Sequence, residues 1–226
     1  MQHNLFTEAE ITTSSPAIAK PIVGGSTGSK DWTGNGKATF ATLGASSHSE
    51  NERQVNDYYA TDPKAIEHLL KLETFTNVWE CACGEGHLSK TLIENNIHGK
   101  SSDLINRNFG ETGIDFLGIE TQIWDGDIIT NPPFKYAQEF AEKALQIIPN
   151  GNKVALFLRI QFLETKDRKE FFKINPPKTV YVSSSRILCA MNGEFEKYSK
   201  NGSAACYCWF VWQKGFKGKT TVEWFN

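Results

Sequence analysis

Apolar residues follow two different spacings along most of the chain, and together they predict an α/β fold. Short continuous apolar runs bounded by turn residues are typical of buried strands. Seven such runs occur, in the order NVWEC, GKSSDL, GDIITN, KVALFLRI, KTVYVSS, AACYCWFVWQ and TTVEWF. Between several of them lie stretches with helical spacing. The clearest of these is YAQEFAEKALQII, whose apolar residues fall on one helical face.

The order of these elements predicts how the strands are arranged. Strands that alternate with helices form a parallel sheet, which the helices cover on both faces. The sequence therefore predicts a mostly parallel seven-stranded sheet with helices on both faces. No helix is predicted between the last two strands, so we expect these two to form a terminal antiparallel hairpin.

The first part of the chain is different. Residues 1–50 lack regular apolar spacing and contain the Gly- and Ser-rich stretch GGSTGSKDWTGNGK, which predicts a flexible N-terminal tail. Regular structure is expected to begin near NDYYATDP, where Asp62 is a suitable helix N-cap and Pro63 a suitable first helical residue. Residues 51–226 are then expected to form a single domain.

Composition narrows the class of protein. No apolar run approaches the roughly 20 residues of a membrane helix, and MQHNLFTEAE does not resemble a secretory leader. The five cysteines form no framework suited to disulfides, so we expect a cytoplasmic protein. Residues 165–226 carry 11 Lys and Arg against 5 Asp and Glu. This basic segment could face a phosphate backbone or be an ordinary solvated surface.

Two polar features follow predicted strands, at the edge of an α/β sheet where ligands bind. Gly84 and Gly86 lie in the turn ECACGEG, and glycines there let a ligand approach the backbone. Asp103 ends the next strand, where an acidic residue is positioned to bind ribose hydroxyls. Each feature alone also has an ordinary structural interpretation: the glycines could form only a tight turn, and Asp103 could be a helix cap or a solvated side chain. Because the turn lacks a full GxGxxG pattern, a cofactor with a single nucleoside is favoured.

The third feature is the tetrapeptide Asn131-Pro132-Pro133-Phe134. The Asn131 carboxamide offers an acceptor oxygen, and the Pro132 carbonyl can point outward as a second acceptor because proline fixes the backbone. Phe134 supplies a flat face beside them. Two acceptors that hold one NH₂ group expose the nitrogen lone pair, so the arrangement suits chemistry on the exocyclic amine of a base.

Five motifs in this order resemble those of the amino-methyltransferase branch of the S-adenosylmethionine-dependent methyltransferases. The resemblance covers about residues 55–225 and is strongest to the DNA adenine-N6 methyltransferases of phages and prophages. The motifs are NDYYATDP, ECACGEG, SSDL, GIDFL and NPPF, and FLRIQFLETKDRKEFF and YCWFVWQKG are also similar to the phage type. The resemblance implies a Rossmann-like class I methyltransferase domain, S-adenosylmethionine as cofactor, and a setting such as restriction-modification.

The resemblance also implies roles for individual residues. It assigns cofactor binding to Tyr59, Thr61, Glu80, Cys81, Gly84, Gly86, Asp103, Asp115 and Phe116. Within this set Asp103 would bind the ribose, and Asp115 and Phe116 would hold the adenine. The catalytic residues would be Asn131, Pro132, Pro133 and Phe134. The partner would be DNA with a flipped adenine, because a base must leave the duplex to reach such a site, at a cost of a few kcal/mol.

Other features are predicted to be structural. Asn175-Pro176-Pro177 follows a predicted helix, and Lys178 stands in place of the aromatic residue, which predicts a helix stop. Cys81, Cys83 and His87 lack a fourth ligand nearby, so no metal site is predicted. An aromatic stripe is predicted to lie in the core, with one ring that could border the target pocket: Tyr207, Trp209, Phe210 and Trp212.

The substrate stays open at this point. No separate target-recognition domain of roughly a hundred residues fits, because only 44 residues separate Gly86 from Asn131 and the 92 residues after Phe134 must complete the sheet. The polar segment 183–203 could contact nucleic-acid phosphates or be a plain exposed loop. DNA adenine is the leading acceptor, and an adenine in RNA or a glutamine amide on a protein would need the same chemistry. A non-catalytic cofactor-binding protein is the alternative of another class.

Overall fold

The computed structural model describes residues 59–120, 123–185, 187–191 and 205–226. The strands are β1 (Tyr59–Thr61), β2 (Val78–Glu80), β3 (His98–Asp103), β4 (Glu111–Thr112), β5 (Ile128–Thr130), β6 (Lys153–Arg159), β7 (Thr179–Ser183), β8 (Cys189–Met191), β9 (Tyr207–Gln213) and β10 (Thr221–Phe225). The α-helices are α1 (Lys64–Leu72), α2 (His87–Glu94), α3 (Ala137–Ile147) and α4 (Lys166–Ile174). The predicted tail, residues 1–50, lies outside the described residues.

The central feature is an eight-stranded sheet with the order β10-β7-β9-β6-β5-β2-β3-β4. The neighbours β6, β5, β2, β3 and β4 all run parallel, and β10 runs parallel to β7. Only β9 runs against its two neighbours, β6 and β7. A mostly parallel α/β sheet is therefore confirmed.

The prediction of seven strands ending in a hairpin needs correction. β9 does not pair with β10, because β9 inserts between β6 and β7 while β10 pairs with the outer side of β7. The burial of the two strands explains the difference. Six of the seven residues of β9 are buried, as expected of an interior strand, whereas four of the five residues of β10 are exposed. The additional strand, β4, has two residues and was not predicted.

Both faces of the sheet are covered by helices, as predicted. Along β6 the buried side chains alternate: Val154, Leu156 and Leu158 pack with α3 and α4, while Ala155 and Phe157 pack with α1 and α2. This alternation follows from the two-residue period of a strand. The aromatic stripe of β9 is buried in the same two layers, which confirms its prediction as core.

A second, two-stranded sheet was not predicted. β1 and β8 pair antiparallel, with Thr61 opposite Cys189. Part of the segment interpreted as a polar loop, 183–203, is therefore strand β8, and Arg186 and residues 192–203 lie outside the described residues. β1 leads directly into α1, which begins at Lys64 with Pro63 in the N-cap position, one residue later than predicted; the Asp62 carboxylate accepts a hydrogen bond from the Lys64 amide at 3.0 Å.

The sheet topology brings the candidate residues to one edge. β2, β3, β5 and β6 are parallel, so their carboxyl ends at Glu80, Asp103, Thr130 and Arg159 lie along the same side of the sheet. The glycine turn, the ribose-binding candidate and the NPPF tetrapeptide each follow directly from one of these ends. None of the helices in the described residues is long and apolar enough to cross a membrane.

Candidate active site

The glycine turn between β2 and α2 has a backbone that requires glycine. Gly84 and Gly86 have φ values of 56° and 77°, in the left-handed region that side chains other than glycine rarely adopt. A Cβ added to Gly86 would lie 2.5 Å from the Phe109 ring. The Gly86 amide closes the turn by donating to the Cys83 carbonyl at 2.8 Å. Any side chain at Gly86 would therefore strain the turn and displace Phe109.

Asp103 fastens this turn to the end of β3. One carboxylate oxygen accepts from the Gly84 amide at 2.8 Å, and the other accepts from the Ile105 amide at 2.8 Å. A carboxylate oxygen can accept more than one hydrogen bond, so each still has capacity for a hydroxyl. The structure thus brings together Gly84 and Asp103, two residues that the sequence assigned to one cofactor.

Glu80 is buried at the end of β2 beside the turn. Loss of hydration raises the pKa of Glu80 to about 8, and hydrogen bonds from Ser89 oppose this rise. The Ser89 hydroxyl also contacts the Ser101 hydroxyl, which lies 2.7 Å from Nε2 of His98. This buried polar chain was not predicted, because Ser89 and Ser101 meet Glu80 only through the packing of α2 and β3.

The two cysteines of the turn are neutral thiols. Burial raises the pKa of Cys83 to about 12 and the pKa of Cys81 well above its ordinary value. Neither is therefore an activated nucleophile, since the thiolate is the reactive form. The described residues also contain no group of three or more His, Cys, Asp and Glu side chains that could hold a metal ion.

Asp115 and Phe116 lie in different environments. Asp115 is exposed, and its carboxylate accepts from the Leu117 amide at 3.0 Å. Phe116 is only 2% exposed, stacks on Phe140 at 5.1 Å and meets Trp79 edge-on at 5.4 Å. Asp115 is accessible to a ligand, whereas Phe116 offers it little surface. Their assigned role toward an adenine remains a prediction.

Asn131 follows β5 and is held by β1. Its Nδ2 donates to the Thr61 hydroxyl at 2.9 Å and to the Tyr59 carbonyl at 3.2 Å. A backbone carbonyl can only accept, so the amide nitrogen must face Tyr59 and the amide oxygen must point away. That oxygen, Oδ1, is buried and has no hydrogen-bond partner among the described residues.

Further polar side chains lie beside the anchor of Asn131. Thr61 is opposite Cys189 in the β1–β8 pair and Arg159 is opposite Tyr207 in the β6–β9 pair, and the Cys189 thiol interacts with both Thr61 and Tyr207. Burial raises the pKa of Cys189 to about 12, so it takes part as a neutral thiol. Cys189 and Arg159 were not predicted to belong to the site, because strand β8 and the register of β6 against β9 place them there.

Phe134 lies within an aromatic group beside Asn131. Its ring centroid is 6.1 Å from that of Tyr59 and 6.0 Å from that of Tyr207. Tyr207 is thus the ring of the aromatic stripe that borders the tetrapeptide. Of the two prolines, Pro132 is buried and Pro133 is exposed.

The second Asn-Pro-Pro stretch is structural, as predicted. α4 ends at Ile174, and the Asn175 amide donates to the Phe171 carbonyl at 2.8 Å. The Asn175 carbonyl accepts from the indole of Trp212 at 3.0 Å. These contacts involve its backbone, so Asn175 serves as a matched control for Asn131.

No protein-family model matches the chain, and no curated protein is significantly similar to it in sequence. Solved structures show distant similarity. One is a Listeria monocytogenes protein assigned to the class I S-adenosylmethionine-dependent methyltransferases, with 13% identity, a TM-score of 0.48 and coverage of 82% of this chain and 71% of that one. The M protein of the type I restriction enzyme EcoKI has 15% identity and a TM-score of 0.47, covering 74% and 46%.

A third similar structure is a Clostridium thermocellum protein assigned to the rRNA methylases. It has 11% identity and a TM-score of 0.41, and the similarity covers 70% of this chain and 99% of that one. These similarities are distant in both sequence and structure, and the substrates in their names differ. They assign no substrate to this chain.

Proposed function

We propose that this protein transfers a methyl group from S-adenosylmethionine to the exocyclic N6 amine of an adenine in DNA. The observation that carries the proposal is the hydrogen bonding of the Asn131 side-chain amide. Its nitrogen is anchored to β1, and its buried oxygen is an acceptor without a donor among the described residues. A buried acceptor without a donor costs roughly 1–3 kcal/mol, and an amine in the site would satisfy it.

The residues at the neighbouring strand ends fit the cofactor. Gly84 and Gly86 leave space at the turn, and Asp103 can still accept from hydroxyls such as those of a ribose. Glu80 and Cys81 line the buried side of the turn, and Asp115 is available for the adenine. When bound, the cofactor supplies an electrophilic methyl group on a sulfonium.

The chain's own residues then have to hold the acceptor nitrogen. Asn131 Oδ1 and the Pro132 carbonyl would accept the two N6 protons, which draws the nitrogen lone pair out of conjugation with the ring. Phe134 would stack on the base and fix its plane. Positioning of this kind supplies much of the rate enhancement without a strong base. The surplus N6 proton is lost to solvent after transfer.

One further condition follows from the burial of Asn131 Oδ1. The atom is screened from solvent in this structure. The amine can reach it only after neighbouring segments move aside, so substrate binding must include a local opening at the NPPF edge. This requirement agrees with an acceptor that enters as a single extruded base.

The same geometry would serve an adenine in RNA or a glutamine amide, since each presents a planar NH₂ group. A non-catalytic protein that binds the cofactor has less support. A protein that only binds the cofactor has no need of an Asn131 that is anchored by its nitrogen and presents an unpartnered oxygen.

The test is transfer of label from S-adenosylmethionine to duplex DNA, single-stranded DNA, RNA and a protein extract in parallel. The products are digested to nucleosides and amino acids and then separated. We expect label in N6-methyladenine from DNA. Label only in RNA or in glutamine would keep the chemistry and overturn the substrate. Cofactor binding without transfer to any acceptor would overturn the enzymatic function.

A further inference from the structure

Arg159 lies at the same edge as Asn131 but has no part in the chemistry described above. It is the last residue of β6, which is the neighbour of β5 in the sheet. β5 leads directly into the NPPF tetrapeptide. The guanidinium carbon of Arg159 lies 4.8 Å from the centroid of the Phe134 ring, so this cation covers one face of the ring proposed to stack on the target base.

The guanidinium is also held from the side of β9. Arg159 is paired in register with Tyr207, and the polar ends of the two side chains interact. The ring of Phe134 and the side chain of Tyr207 therefore restrict the orientation of the guanidinium. An arginine fixed in this way loses less side-chain freedom when it binds a ligand.

Much of the bonding capacity of Arg159 is unused by these contacts. A guanidinium has five N–H donors, and the ring contact uses none of them. Arg159 is exposed, and it forms no ion pair with a carboxylate within the described part of the chain. Arg159 is therefore an oriented, exposed cation beside an aromatic group, with no counter-ion among the described residues. Guanidinium groups in such positions suit phosphate, which they can bind through two parallel hydrogen bonds.

We infer that Arg159 binds a phosphate that flanks the acceptor nucleotide while its stacking keeps Phe134 in place. The inference rests on the proposed function and deepens it, since it requires an acceptor within a nucleic acid. It also excludes a glutamine amide as the main substrate, because a protein acceptor brings no phosphate to this position.

The experiment uses an oligonucleotide with one adenine that the wild-type protein methylates. A second oligonucleotide carries uncharged methylphosphonates on both sides of that adenosine. Both are assayed with the wild type, Arg159→Gln, Arg159→Lys and Arg168→Gln. Arg168 is the matched control, because it also stacks on an aromatic ring, that of Phe162 at 4.7 Å, and its guanidinium donates to the Gln161 carbonyl at 3.2 Å.

For Arg159→Gln we expect KM to rise about tenfold on the phosphate oligonucleotide, with a much smaller change in kcat. The salt dependence of binding should fall by about 0.7 in slope on single-stranded DNA, the loss of one phosphate contact. For the wild type, KM should rise by a similar factor on the methylphosphonate oligonucleotide. For Arg159→Gln, KM should be the same on both oligonucleotides. Arg159→Lys should keep the salt slope and recover part of the affinity.

Other results would overturn the inference. An unchanged KM in Arg159→Gln, or equal sensitivity of wild type and variant to the methylphosphonates, would show that no phosphate binds there. A fall in kcat and thermal stability with constant KM would reduce Arg159 to a support for Phe134. Wild type that methylates no nucleic acid would instead reject the proposed function, and this inference with it. We expect KM to be unchanged in Arg168→Gln, which would show that the loss of a stacked arginine does not by itself raise KM.

Discussion

Asn131 and Thr61 are joined by a 2.9 Å hydrogen bond between residues 70 positions apart in the chain. Together with the Tyr59 carbonyl, which can only accept, this bond holds the nitrogen end of the Asn131 amide away from the site. Its nitrogen is occupied by Thr61 and the Tyr59 carbonyl, so the oxygen is left for a ligand. The small β1–β8 sheet therefore has a functional consequence, because it orients the residue on which the proposed chemistry depends.

Asn131→Ala should abolish most of the turnover. Removal of one oriented hydrogen-bond partner of a transition state costs roughly 10²- to 10³-fold in kcat. Cofactor affinity should change little, since the glycine turn and Asp103 lie on other strands. Initial rates with labelled S-adenosylmethionine and a cofactor titration measure the two effects. Asn175→Ala is the control and should keep normal rates. A matching loss there would contradict the assignment of the site.

Thr61→Ala should lower kcat while the methylated product stays the same. The Asn131 nitrogen loses one of its two acceptors and is held by the Tyr59 carbonyl alone, so we expect a decrease in kcat of up to about tenfold. Thr61→Ser retains the hydroxyl and should restore most of the rate. The comparison of kcat in the two variants is the measurement. Equal rates for Ala and Ser would show that Thr61 does not orient Asn131.

Gly86→Ala should weaken cofactor binding and destabilise the fold. A side chain at φ 77° costs about 1–2 kcal/mol, and the added Cβ would clash with the Phe109 ring. Gly151→Ala is the matched control, because Gly151 also has a positive φ, 94°, but has no atom within 4 Å of an added Cβ. Thermal unfolding and cofactor titration of both variants separate backbone strain from the clash. Equal losses in the two variants would mean that the clash with Phe109 contributes nothing beyond the backbone strain.

Asp103→Asn should weaken cofactor binding more than it weakens the fold. The carboxylate accepts from two amides, and an amide side chain offers one acceptor oxygen and places an NH₂ against the other donor. We expect an increase of about tenfold or more in the dissociation constant for S-adenosylmethionine. Calorimetric titration of wild type and variant measures it. Unchanged affinity would remove Asp103 from the cofactor site.

The stability of the protein should depend on pH through Glu80. Its folded pKa, about 8, lies above its ordinary value of 4.5, so the folded state retains a proton that the unfolded state has lost. The favourable contribution is complete below pH 4.5 and is lost as the pH rises toward 8. Glu80→Gln carries no such proton and should be destabilised less by a change from pH 5 to pH 8. Parallel melting curves of the two proteins would contradict a buried, protonated Glu80.

The sequence by itself determined the class of fold and the positions of its chemical motifs. Continuous apolar runs such as KVALFLRI mark strands buried on both faces, and the residues that follow them lie at one sheet edge whenever the strands are parallel. This local rule predicted that the glycine turn, Asp103 and Asn131 lie together. It also separated Asn131, which follows a strand, from Asn175, which ends a helix.

Only the tertiary structure decided the order of the strands and the contacts between distant residues at the site. β9 inserts between β6 and β7. No local sequence pattern predicts this position, because the apolar character of a strand indicates that it is interior but not which strands are its neighbours. The same insertion pairs Arg159 with Tyr207, and the pairing of β1 with β8 brings Thr61 and Cys189 to Asn131. These contacts join residues far apart in the chain. Their formation depends on strand order and register, which the packing of the whole domain selects.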